Sequence, residues 1–154
     1  MPDIVICEPL RTPVGRFGGA LATLSAAELA ETVIGELLRR TGLDAEHIDD
    51  IVLGQAYANG ETPAIGRIVA LDVGLDRVPG VQVDRRCGSG LQAVLYAAGQ
   101  IATNAADLVI AGGAESMSQV EHYATGLRAG KRQGGIELLD RLDRSVGPFL
   151  ERYT

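Results

Sequence analysis

Cys87 lies in VDRRCGSG (Val83–Gly90), between a short alternating apolar run and a long apolar run almost empty of charge. A thiol at the start of a helix gains twice. The positive end of the helix dipole stabilises a thiolate, and flanking arginines add to that if they point inward. The free backbone N–H groups of a first turn also suit the oxyanion that develops when a thiolate attacks a thioester. The chemistry this suggests is covalent acyl transfer through an acyl-cysteine. From these residues alone a small, buried, apolar filler fits as well. The other cysteine, Cys7, sits inside the apolar run DIVIC and has no such surroundings, so it reads as structural.

The remaining candidates are fewer. His47, in DAEHID, reads as a solvated turn or cap, and His122, in SQVEHYATG, as a loop histidine with nothing to orient it toward Cys87. Arg128 and Lys131, the latter opening KRQGG, form a basic loop that is either solvated or able to meet phosphates.

The elements that must position Cys87 follow from periodicity. Asp3–Cys7 is β-branched and strand-like, and the loop RTPVGRFGGALATLS follows it. Ser25 and Glu28 have capping-box spacing. The helix they start places Leu29, Val33, Ile34, Leu37 and Leu38 on one stripe and stops at Gly42. A second strand is expected at Ile48–Gly54, and a helix at Ala64–Val73 with Pro63 in its first turn. Then come a strand at Val81–Val83, a helix from Cys87 to Thr103 and a strand at Asp107–Ala111. The Cys87 helix is apolar on nearly every face, which predicts enclosure by other elements. Gly88 and Gly90, poor helix formers, suit a close approach to the backbone. Strands alternating with helices give an α/β domain with a mostly parallel sheet covered on both faces. After Ser118 the chain becomes more polar and glycine-punctuated, which divides it into an α/β domain at 1–118 and an excursion at 119–154.

Bulk properties narrow the function. The chain of 154 residues carries a net charge of −6, so no basic surface is available for nucleic acid. Two cysteines make neither a disulfide framework nor a zinc site, and a reducing cytoplasm is the simpler expectation. No signal peptide or bilayer-spanning run is visible, so no membrane partner is expected.

VDRRCGSGLQAV followed by ADLVIAGGAESMS closely resembles the active-site region of thiolases, the acyl-CoA acetyltransferases. RTPVGRFGGALA resembles the loop after the first strand in the same family. The resemblance implies a thiolase-like fold, of which this chain supplies the N-terminal half and the start of an inserted loop domain. It implies a mostly parallel mixed sheet with helices on both faces and a buried central helix starting at the nucleophile. Cys87 would take an acetyl or acyl group from acetyl-CoA or a 3-ketoacyl-CoA, and its own N–H would form half of an oxyanion hole. Coenzyme A would be a substrate, with no bound cofactor or metal. His122, Arg128 and Lys131 fall where the family's insertion approaches the substrate, which makes them candidate substrate-binding residues.

The family's activating histidine, its second cysteine and its asparagine–histidine pair have no counterpart motif here. Turnover is therefore expected to require a missing C-terminal half, in a homodimer or homotetramer. Asp84 stands where many members carry asparagine, and NGETPAIGRIVAL departs from the usual stretch. Alternatives are a non-catalytic thiolase-fold scaffold or lipid-binding module, one chain of a two-chain thiolase, and the related β-ketoacyl synthases.

Overall fold

The computed structural model describes residues 3–145. Its centre is a three-stranded parallel sheet of β1 (Asp50–Gly54), β2 (Gly80–Val83) and β3 (Val109–Gly113), ordered β2-β1-β3. Val52 pairs with Val81 on one side and Ala111 on the other. The three strands follow the three apolar runs expected to form them, each displaced by no more than two residues. Parallel neighbours need crossovers, and helices α2 (Ile65–Asp72) and α3 (Ser89–Ala102) supply them.

Side chains alternate across a strand, so β1 faces two layers. Ile51 and Leu53 join a cluster with Ile65, Val69 and Ala70 of α2, and with Ala27, Ala30 and Ile34 of α1 (Ala26–Thr41). Val52 and Gly54 face the opposite way, toward α3, whose buried residues are Ser89, Ala93 and Ala97. Each fully buried Ile, Leu or Val side chain contributes about 1.5–3 kcal/mol. The layering is thus helix–sheet–helix, as expected of an α/β domain.

Helix α1 begins as its capping box requires. Glu28 N–H donates to Ser25 Oγ at 3.1 Å, and Ser25 N–H to Glu28 Oε2 at 2.7 Å. It ends at Gly42, which is left-handed with φ 63. Its buried stripe differs from the expected one, because Ala26, Ala27 and Ala30 are its innermost residues beside Ile34 while Leu37 and Leu38 are only half-buried. Small residues let α1 approach α2 closely. Glycines set the approach of α2 to the sheet: a Cβ on Gly80 would lie 2.3 Å from the Gly66 carbonyl carbon, and one on Gly66 2.6 Å from Val81 O. Pro63 precedes the helix rather than entering it, since Ala64 between them is the left-handed N-cap, φ 53.

Three expectations are corrected. Residues 3–16 form no strand, and Val5 and Ile6 are exposed, because no sheet edge among the described residues takes up their backbone. Helix α3 starts at Ser89, two residues after Cys87. It is enclosed on one face only, with Leu91, Leu95 and Tyr96 exposed at 68%, 56% and 50%. Its apolar circumference exceeds what one sheet face can cover.

From Met117 the chain runs through a short helical turn (Met117–Gln119) into a two-stranded antiparallel ladder, β4 (His122–Tyr123) with β5 (Leu139–Asp140). Helical residues 141–145 follow. Nothing between residues 119 and 145 is buried.

Candidate active site

Cys87 occupies the turn between β2 and α3, and its side chain is exposed. Three contacts fix that turn. Ser89 Oγ, buried at the start of α3, accepts from Arg85 N–H at 2.8 Å and donates to Arg86 C=O at 2.6 Å. Arg86, directly before the cysteine, is left-handed with φ 50. That conformation is strained for a side-chain-bearing residue and persists only when its surroundings impose it. Asp84 imposes part of it, because its Oδ1 accepts Arg86 N–H at 2.8 Å and its Oδ2 lies 3.4 Å from the guanidinium. The aspartate thus acts as a hydrogen-bond acceptor within the turn.

The first turn of α3 is pressed onto the sheet. A Cβ on Gly54, the last residue of β1, would lie 2.5 Å from the Ser89 carbonyl carbon and 2.6 Å from Gly90 N. Only a glycine lets the turn carrying Cys87 sit this close to the central strand. Gly90 itself borders open space, with no atom within 4 Å of a Cβ placed there. The amides of Gly88 and Ser89 are engaged by Arg85 and Arg86 carbonyls at 3.0 Å each, while the Cys87 N–H is not used in the turn's hydrogen bonds. The arginines behave differently from each other. The Arg86 guanidinium turns away to Ala56 C=O, 2.9 Å, whereas the Arg85 stem lies along Gly88.

The other candidates lie after β3. His122 is exposed on β4, opposite Asp140, and Arg128 is exposed in the loop that follows. Lys131 donates to Gly135 C=O and borders a cavity of about 330 Å³ with Thr125, Leu127 and Ile136. No hydrogen bond or ion pair joins Cys87 to His122, Arg128, Lys131 or His47 among the described residues. His47 ends a short exposed helical turn with Asp44 and Glu46 beside it.

Sequence reasoning missed the groups behind the turn. Glu115 Oε2 accepts Ala56 N–H at 2.7 Å and Tyr57 N–H at 3.3 Å, bridging the residues after β3 to those after β1. Burial pushes its carboxyl up from the ordinary 4.5, opposed by those two N–H donors. Arg141 binds Glu121 and Ala58 C=O and stacks 5.9 Å from the Tyr57 ring centre. The run ESMSQ also clasps the N-terminal loop: Ser116 Oγ donates to Leu24 C=O, and Ser118 Oγ accepts Gly18 N–H. The only advance signal was the motif itself, which carried the resemblance without assigning a role to any of its members.

A parallel α/β domain with a cysteine presented on the turn from an edge strand to a glycine-flanked helix is the class these features define. The thiolase N-terminal domain family matches residues 4–150. An acetyl-CoA acetyltransferase of Cupriavidus necator is 40% identical over 143 residues, covering 92% of this chain and 36% of the relative. A β-ketoadipyl-CoA thiolase of Escherichia coli is 47% identical over 122 residues, 77% of this chain and 30% of that one. The crystal structure of the Bacillus anthracis acetyl-CoA acetyltransferase superposes with a TM-score of 0.81 at 34% identity, covering 88% of this chain and 34% of that chain. The chain belongs to the thiolase family, and it spans about a third of the length of the relatives it matches.

Proposed function

We propose that this chain is the nucleophile-bearing part of an acyl-CoA acetyltransferase, with Cys87 as the residue that carries the acyl group. The observation that supports it most is the exposed Cys87 on a turn held by Ser89, Asp84 and the glycine contact at Gly54. A purely structural cysteine has no need of a strained residue before it and open space beside Gly90 after it.

In thiolysis the Cys87 thiolate adds to the ketone carbon of a 3-ketoacyl-CoA. The bond from that carbon to its α carbon breaks, and the α carbon takes up a proton and leaves as acetyl-CoA. The thiol sulfur of coenzyme A then attacks the acyl group on Sγ, giving the shortened acyl-CoA and returning Cys87, with the thiol proton passed to a base. Condensation is the reverse. The Cys87 N–H donates to the oxyanion, an interaction of the kind worth about 10²–10³ in rate. Coenzyme A enters as a substrate and the chemistry asks for no resident cofactor. Arg128 and Lys131 meet its phosphates, and His122 borders the path of the substrate.

The resemblance to the family assigns the activating base to the portion of the family's length that this chain does not span, and among the described residues none hydrogen-bonds Cys87 Sγ. The assembled enzyme is a homodimer or homotetramer of the cytoplasm, a location compatible with the observation that no described helix is long and apolar enough to cross a membrane. The test is thiolysis of acetoacetyl-CoA by coenzyme A with the 154-residue chain and its Cys87→Ala variant. Neither is expected to turn over alone. Robust Cys87-dependent turnover would overturn the division of labour proposed here.

A further inference from the structure

Glu115 touches the loop that holds the side chain of the residue before the nucleophile. Its Oε2 accepts from Ala56 and Tyr57 N–H. The Ala56 carbonyl, on the far side of the same peptide segment, accepts from Arg86 Nη1 at 2.9 Å. Arg86 is the left-handed residue preceding Cys87, and Asp84 holds its N–H. From these contacts we infer that Glu115 is a positioning residue for Cys87, acting through Ala56 and the Arg86 guanidinium. The inference rests on Cys87 being the acyl acceptor, but its geometry does not.

The physical case is one of competing local preferences. A left-handed arginine relaxes toward the right-handed or extended regions unless both its amide and its side chain are held. Asp84 holds the amide from within the turn, and Ala56 holds the side chain from outside it. Ala56 lies beyond the end of β1 and has no strand partner to fix it, so its carbonyl is aimed by the two N–H bonds that Glu115 accepts. Glu115 in turn follows β3 by two residues and is anchored by the sheet. The β1, β2 and β3 ends are thereby joined above the sheet by polar contacts, and the strained residue is suspended from them. A carboxylate fits because one oxygen takes both donors, and glutamine keeps one such oxygen while alanine keeps none.

The test is hydrogen exchange read by mass spectrometry over residues 55–58 and 84–89 in the full chain carrying Glu115→Ala, Glu115→Gln or Arg86→Ala. Losing a hydrogen bond to a charged acceptor gives about a tenfold faster exchange in Glu115→Ala, in both segments together. Glu115→Gln stays near the parent in both, and this rescue distinguishes an acceptor role from a volume effect. Arg86→Ala changes an exposed side chain and reads the same link from its other end if Glu115→Ala fails to fold: it loosens 84–89. Faster exchange confined to 55–58 in Glu115→Ala, or no change at 84–89 in Arg86→Ala, overturns the inference. Acetylation of Cys87 by acetyl-CoA in a Cys7→Ala background is followed alongside. Absence of acetylation in the parent counts against the acyltransferase reading alone, since the exchange result stands without it.

Discussion

Replacing Gly54 by alanine tests the packing that sets the nucleophile turn. The added Cβ would sit 2.5 Å from the Ser89 carbonyl carbon and 2.7 Å from its oxygen, both backbone atoms with no flexible end to swing aside. Ordinary carbon contacts lie near ~3.5–4.0 Å, so the first turn of α3 must retreat by about 1 Å. Overpacking of this kind costs about 1–3 kcal/mol. For a chain of this size each kcal/mol moves Tm by about 2–4 °C, which places the expected loss at about 2–12 °C. The retreat also pulls Ser89 from Arg85 and Arg86, so acetylation of Cys87 by acetyl-CoA slows. Gly90→Ala is the matched control, on the same turn with no atom within 4 Å of the new methyl. It removes a helical glycine and gains about 0.5–1 kcal/mol, so it melts no lower than the parent, while a methyl in the open space beside the Cys87 turn, where the proposed function brings the thioester, slows acetylation. Circular-dichroism melts and intact-mass acetylation rates read the two effects separately. A Gly54→Ala chain as stable as the parent would refute the packing argument.

Other outcomes follow from the same contacts. Ser89→Ala strips Arg85 N–H and Arg86 C=O of their partner at a buried position, at a cost of about 1–3 kcal/mol, seen as a lowered urea midpoint. Because burial raises the Glu115 pKa in the fold above its ordinary 4.5, its contribution is complete at pH below that value and is lost as pH rises through the raised one. Urea titrations across the acid range should therefore show Glu115→Gln with a smaller fall in stability than the parent over that window. Ser25→Ala removes the α1 cap and costs about 1 kcal/mol, measurable by thermal melts, with no change in Cys87 reactivity.

Much of this architecture is readable in the chain. β-Branched runs announce β1, β2 and β3, and Ser25 with Glu28 announces the start of α1, because those signals are local. The run Asp3–Cys7 has the same composition and forms no strand, since a strand exists only when another edge takes its hydrogen bonds. The sequence pattern starts α3 two residues early, because Arg86 adopts a left-handed conformation that no propensity favours and the turn is set by Asp84 and Ser89. Gly54 could not be read as a contact glycine, because its neighbour Ser89 lies 35 positions further along the sequence. Glu115 was equally hidden, since its partners Ala56 and Tyr57 are 59 and 58 positions away. Cys87 itself was legible because glycines, arginines and an apolar helix crowd around it within a few residues.

The most direct test of the account is peptide mapping after incubation of the 154-residue chain with acetyl-CoA at about pH 9, where free thiols ionise without a base. Both cysteines are exposed, so accessibility alone does not choose between them. The account predicts one acetyl group on Cys87 and essentially none on Cys7, because the proposed function gives Cys87 an oxyanion donor in its own N–H, which the turn's hydrogen bonds leave unused. Equal labelling of the two cysteines, or none on Cys87, would contradict it.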